Sequence, residues 1–135
     1  MSMGYGAYAH LIDEDETMVM YSYSCYDVCD PEYPHFKEME DGEIYVSRDA
    51  FVEPDIHRKL KRMPSGRKKV IEKRIPKDVD FKKLYSEGKI KIKNASGTWM
   101  INPDGADVMA FHLIFQLFSE YQTQGMIPLK LSAYY

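Results

Sequence analysis

Cysteine is scarce in this chain. Cys25 and Cys29 are the only two in 135 residues, too few for the disulfide framework of a small secreted scaffold. No apolar run approaches the roughly 18 residues that cross a bilayer, so no membrane partner is expected. The opening residues, Met-Ser-Met-Gly-Tyr-Gly-Ala-Tyr, have neither the basic flank nor the apolar centre of a secretion signal. A cytoplasmic location is therefore expected. The nucleophile elbow, the zincin histidine pair, the dinucleotide-binding glycines and the kinase motifs are all missing. No cofactor is expected, and no catalytic constellation is nominated. Basic residues are also nearly missing from the first 56 positions, where Lys37 and Arg48 stand against 14 acidic residues.

The cations are concentrated further along. From His57 to Lys93 there are 15 basic and 4 acidic residues, and from Asn94 onward 1 basic and 3 acidic. A net charge of −3 thus hides segment balances of −12, +11 and −2. Such asymmetry accompanies recognition of charged partners, or it means that the two segments fold side by side and neutralise each other. With 44% apolar and 29% charged residues, the composition is globular, and the length is that of one domain spanning residues 1–135 with a core of its own.

Asn102 to Gly125 reads as a long helix, over about 103–124. Val108, Met109, Phe111, Leu113, Ile114, Phe115, Leu117 and Phe118 leave only one polar stripe, formed by His112, Gln116, Ser119, Glu120 and Thr123. A helix this apolar needs packing on more than one side. Tyr5–Ile12 and Thr17–Tyr26 read as two strands joined by the Asp13–Glu16 turn. With Ile12 facing Thr17, Tyr8 pairs with Tyr21 and Gly6 with Tyr23. One face is then aromatic, and the other carries Ala7, Ala9, Ser22 and Ser24, against which a helix fits.

Asp27 to Glu43 reads as an acidic, proline-bearing loop, followed by a short strand over Glu43–Val46. Pro54 and the charge order of Asp55–Arg62 predict a short helix there, stopped by Met63-Pro64-Ser65-Gly66. Arg67–Ile75 reads as a strand and Asp78–Ser86 as a second short helix capped by Gly88. Lys89–Lys93 alternates strictly, with Thr98–Ile101 as its expected hairpin partner. Residues 128–135 read as a last strand, open to pairing with a second chain if it forms an edge. The sum is an α+β fold: one domain with a mostly antiparallel sheet of about five to seven strands against one long C-terminal helix, with two short helices at about 55–62 and 78–86.

Several clusters invite chemistry. Cys25 and Cys29, with Asp27, Asp30 and His35, have tolerable zinc spacing, but a second ligand pair is missing, and no metal is expected. Asp13, Glu14, Asp15 and Glu16 lack the alternation and glycine bend of a calcium loop. Pro64–Lys69 precedes a strand and lacks phosphate-loop spacing. His112, Gln116 and Glu120 share a helical face, where His112 could serve as a general base, although no nucleophile or metal accompanies it.

Three functions follow. The leading expectation is a non-catalytic protein-binding domain, of the bacterial immunity, antitoxin or inhibitor type, that neutralises a basic toxin or nuclease. Its expected contact set is Tyr8, Tyr21 and Tyr23 with the acids Asp13, Glu14, Asp15, Glu16, Asp27, Asp30, Glu32, Glu38, Glu40 and Asp41. The second is a nucleic-acid-binding protein using segment 57–93, through Arg58, Lys59, Arg62, Arg67, Lys68 and Lys69. Aromatics are absent from His57 to Arg74, so phosphate contact is expected there rather than base recognition. The third is a small enzyme centred on His112.

Overall fold

In a computed structural model, which describes residues 4–135, the chain forms a five-stranded antiparallel sheet backed by one long helix, with a separate two-stranded ribbon. In chain order the elements are β1 (Tyr5–Glu14), β2 (Met18–Asp27), α1 (Tyr33–Glu38), β3 (Gly42–Ser47), β4 (Asp55–Arg62), β5 (Lys68–Ile75), α2 (Phe81–Ser86), β6 (Ile90–Lys93), α3 (Val108–Gln124) and β7 (Lys130–Tyr134). The main sheet runs β6-β3-β2-β1-β7, and β4 pairs only with β5. This is the expected α+β class.

Strand β2 is central and carries the core. Val19, Tyr21, Tyr23 and Cys25 alternate onto the face that α3 covers, and all four are fully buried. Ala7 and Ala9 of β1 and Leu131 of β7 share that face. The alanines keep the sheet smooth, so α3 can bring in Met109, Leu113, Ile114, Leu117 and Phe118. Phe51, Phe81, Leu84 and Tyr85 pack around the helix flanks, the extra cover that its wide apolar arc requires.

The other face of β1 and β2 is covered by α1 and the chain after it. Tyr8 and Ser24 hydroxyls donate to the Lys37 carbonyl, while His10 and Ser22 bond Glu40.

The hairpin register differs from the expected one. Tyr8 pairs with Ser24 and Leu11 with Tyr21, and a bulge between Leu11 and Asp13 shifts the remainder. Relative to the expected pairing the offset is three residues, an odd number, which puts Tyr8 on the face opposite Tyr21 and Tyr23. The cause lies in the turn. Strand β1 continues through Asp13 and Glu14, and the Asp15 carboxylate accepts from the Thr17 and Met18 amides, making a tighter turn than four residues.

The expected helix over 55–62 is instead strand β4. Its Ile56 and Leu60 are four apart, a spacing that fits a helix face and a strand face alike. The partner settles the choice: Asp55 to Arg62 pair residue for residue with Ile75 to Lys68. The turn between them closes with Gly66 at φ 85°, a conformation that favours glycine. The second short helix is present as α2, capped by Asp80, whose side chain accepts from the Lys83 amide. Thr98–Ile101 does not pair with β6. Strand β6 pairs with β3, and Ile101 makes only an isolated bridge to Asp107. The long helix starts five residues later than expected, at Val108, because Asn102 folds the preceding loop back on itself by accepting from the Asp104 and Ala106 amides. It ends at Gly125 in the left-handed conformation.

Candidate functional site: the basic ribbon

The antiparallel partner of β4 determines where the cations lie. Between Asp55 and Ile75 there are nine basic and two acidic residues. Every side chain of β4 is exposed, and all of β5 but Arg74 is exposed as well. The ribbon is tied to the body at its base. There the Arg74 guanidinium donates to the Gln122 carbonyl at the end of α3 (2.8 Å), Lys77 pairs with Asp55 (3.3 Å), and the Gln122 side chain brackets the Lys77 peptide. Beyond that base it stands clear.

Pairing and alternation sort its side chains by face. His57, Lys59, Lys61, Lys69, Ile71 and Lys73 share one side; Ile56, Arg58, Leu60, Arg62, Lys68, Val70, Glu72 and Arg74 share the other. Both sides are basic. Arg58 pairs with Glu72 across the strands at 3.3 Å. Among the described residues, Lys59, Lys61, Arg62, Arg67, Lys68, Lys69 and Lys73 make no ion pair.

The acidic segment does not neutralise them. Many of its carboxylates are engaged locally or by other partners. Asp15 caps its own turn, and hydrogen bonds from Thr17 hold its carboxyl below the usual range. Glu14 pairs with Arg48, Glu40 with His10, and Asp49 with Lys89. Asp27 and Asp30 accept from amides two residues on. Burial works against the Asp41 carboxylate, but two hydrogen bonds from Ser96 outweigh it and hold its pKa down.

The structure separates the expected protein-contact set. Tyr21 and Tyr23 are fully buried and cannot meet a partner. Tyr21 donates to the Pro128 carbonyl and Tyr23 to Asp107, and burial pushes both phenols well above their ordinary pKa. Tyr8 lies half-buried on the opposite face. Asp13, Glu14, Asp15 and Glu16 are exposed at the β1–β2 turn; Asp30, Glu32, Glu38 and Asp41 are exposed around α1; Asp27 and Glu40 are partly covered. The acids therefore form two groups and share no surface with Tyr21 or Tyr23. Of the expected nucleic-acid contacts, Arg58, Lys59, Arg62, Arg67, Lys68 and Lys69 all lie on the one ribbon.

The remaining candidates are parts of the framework. Cys25 is buried with its thiol donating to Asp107, and burial raises its pKa strongly, whereas Cys29 is exposed. Among the described residues no group of three or more His, Cys, Asp or Glu is placed to hold a metal. His112 lies 3.0 Å from the Tyr135 hydroxyl, and the Gln116 side-chain oxygen accepts from the Ser132 amide, so the polar stripe of α3 joins the helix to β7. A cleft of about 340 Å³ between α2 and α3 is walled by Phe81, Tyr85, Phe111 and Phe115, with Lys82 and the 102–104 loop at its rim. Among the described residues, its only charged lining groups are Lys82 and Asp104, both exposed at that rim. The ribbon's two-sidedness was hidden in the sequence by the helix-compatible spacing of Ile56 and Leu60; the signal that could have found it is the Pro64-Ser65-Gly66 turn with a strand pattern on its far side, for which 55–62 is the adjacent antiparallel partner. Comparison with protein-family models, with curated proteins and with solved structures finds no match.

Proposed function

We propose that the protein is a non-catalytic nucleic-acid-binding protein and that the β4–β5 ribbon is its binding element. The observation that carries this reading is a projecting ribbon whose cations, apart from Arg58, make no ion pair among the described residues, Arg74 being held by a backbone carbonyl instead. Clustered, unpaired lysines and arginines on a projection attract a polyanion and release its counterions on contact. The absence of aromatic side chains between Asp55 and Ile75 favours phosphate contact over stacking on bases. Outside the ribbon the net charge is negative, which opposes the same polyanion there.

The test is fluorescence anisotropy of labelled mixed-sequence nucleic acid at 50 and 200 mM salt. For about seven phosphate contacts, affinity falls with a log–log salt slope near −6. Replacing Lys59, Lys61, Lys68 and Lys69 by Gln removes four of the seven contacts and flattens that slope by about 3.5. No binding at 50 mM salt refutes the reading.

A second reading, the protein-binding inhibitor, is supported by a different surface. Ile12 in the β1 bulge, beside Asp13 and Glu14, and Leu129, whose carbonyl accepts from the Leu11 amide, leave 53% and 72% of their surface exposed. An apolar centre edged by carboxylates suits a basic protein partner. Affinity capture on immobilised protein, with Ile12→Asp/Leu129→Asp as the control, tests it. Recovery of one basic protein by wild type and not by the control supports it; equal recovery by both rejects it.

A further inference from the structure

We infer that the ribbon binds B-form duplex DNA by entering the major groove, with its two faces turned toward the two phosphate rows that wall the groove. This rests on the nucleic-acid reading above and commits it to one conformation of one polymer.

The argument begins with the distribution of charge. A ribbon that laid one face on a flat polyanion would need cations on that face only. Here Lys59, Lys61, Lys69 and Lys73 occupy one face, while Arg58, Arg62 and Lys68 occupy the other. Both sets are exposed from base to turn. Cations on both faces match a site with phosphates on both sides. The dimensions agree. A two-stranded ribbon with side chains on both faces is about 10 Å thick, and eight residues extend about 26 Å. The B-DNA major groove is about 12 Å wide and admits a two-stranded ribbon. The turn fits the leading position. Its residues Pro64, Ser65 and Gly66 are small, and a Cβ built at Gly66 meets nothing within 4 Å, so the tip is slim.

The geometry also predicts what is not read. Side chains that reach sideways to phosphates are not spent on base edges, so sequence preference is weak. A-form RNA has a deep, narrow major groove closed to side chains. Duplex RNA therefore cannot receive the ribbon in this way, and a single strand offers no opposed phosphate rows.

The test compares a labelled DNA duplex, an RNA duplex of equal length and sequence, and the single DNA strand, by anisotropy at several salt concentrations between 50 and 200 mM. The full-length wild type is set beside two variants. One is Lys59→Gln/Lys61→Gln/Lys69→Gln/Lys73→Gln; the other is Arg58→Gln/Arg62→Gln/Lys68→Gln. All seven positions are exposed, and circular dichroism checks that each variant keeps the fold. The expected result is that the DNA duplex binds at least about tenfold tighter than either alternative, and that the salt slope flattens by about 3.5 in the first variant, which removes four free cations, and by about 2 in the second, where Arg58 is already paired with Glu72. Equal affinity for all three polymers, or a slope changed by only one of the two variants, overturns groove insertion and leaves the nucleic-acid reading standing. Failure of wild type to bind any of the three at 50 mM salt overturns both.

Discussion

The Tyr23 hydroxyl donates to the Asp107 carboxylate at 2.8 Å, joining the central strand to the start of the long helix across 84 residues of chain. Asp107 is fully buried and caps α3 by accepting from the Met109 amide, and it also accepts from Thr98 and from the Cys25 thiol. The Tyr23 oxygen in turn accepts from the Ala95 amide. One contact thus fixes the sheet, the helix end and the 95–98 loop. This is why Tyr23 is core, and why the carboxylate that caps the helix is buried with its hydrogen bonds made.

Tyr23→Phe removes a donor and an acceptor whose partners stay buried. It is expected to destabilise the fold by about 1–3 kcal/mol, read as a lower urea midpoint at unchanged slope. Tyr8→Phe, at a half-buried hydroxyl bonded to the Lys37 carbonyl, serves as the contrast and shifts the midpoint by less than half as much.

Gly42→Ala tests how closely β3 approaches the Tyr23 ring. A Cβ at Gly42 would meet ring atoms of Tyr23 at 2.3–2.8 Å. The ring cannot yield without disturbing Asp107, so overpacking by about 1–3 kcal/mol is expected. Gly66→Ala has open space but a positive φ, and its cost is confined to the ribbon turn. Hydrogen exchange separates the two, with loss of protection in β2 and β3 for the first and in β4 and β5 only for the second.

Replacing residues 56–74 by a short Gly-Ser linker is expected to leave the main sheet and α3 intact. The ribbon contributes almost no buried apolar side chain, and its removal costs the Arg74–Gln122 hydrogen bond, about 0.5–1.5 kcal/mol. A retained cooperative thermal transition, together with loss of nucleic-acid binding, is the expected pair of results. An unfolded product would show that the ribbon is a structural strut.

Stability is expected to fall as pH drops below about 6.5. Burial holds the His112 pKa below its ordinary value, although Asp107 acts against this. The unfolded state then binds the proton more readily than the folded one. The stabilisation is present above the unfolded pKa of about 6.5 and is lost as pH falls through the folded pKa. Urea midpoints at pH 7.5 and 5.5 should differ in wild type, and the difference should shrink in His112→Gln.

Much of the fold was legible in particular residues. Lys89–Lys93 showed its strand by strict alternation, and the apolar run from Val108 to Phe118 showed its helix, because periods of two and 3.6 are properties of the local chain. Asp55–Arg62 was not legible. Ile56 and Leu60 satisfy both periods, and intrinsic preference over eight residues is too weak to decide. The presence of Lys68–Ile75 as a partner turned the segment into a strand.

The sequence by itself determined the α+β class, the long helix and the segregation of charge, since each is written in composition or in local period. Tertiary structure alone decided which face each tyrosine occupies and whether the cations are free. A bulge between Leu11 and Asp13 and a tight Asp15 turn set an odd offset in register, and an odd offset reverses every side chain in a strand. Likewise, only the separate pairing of β4 with β5 lifts the lysines away from the acidic segment. Register and distance depend on contacts between residues far apart in the chain, and no local pattern encodes them.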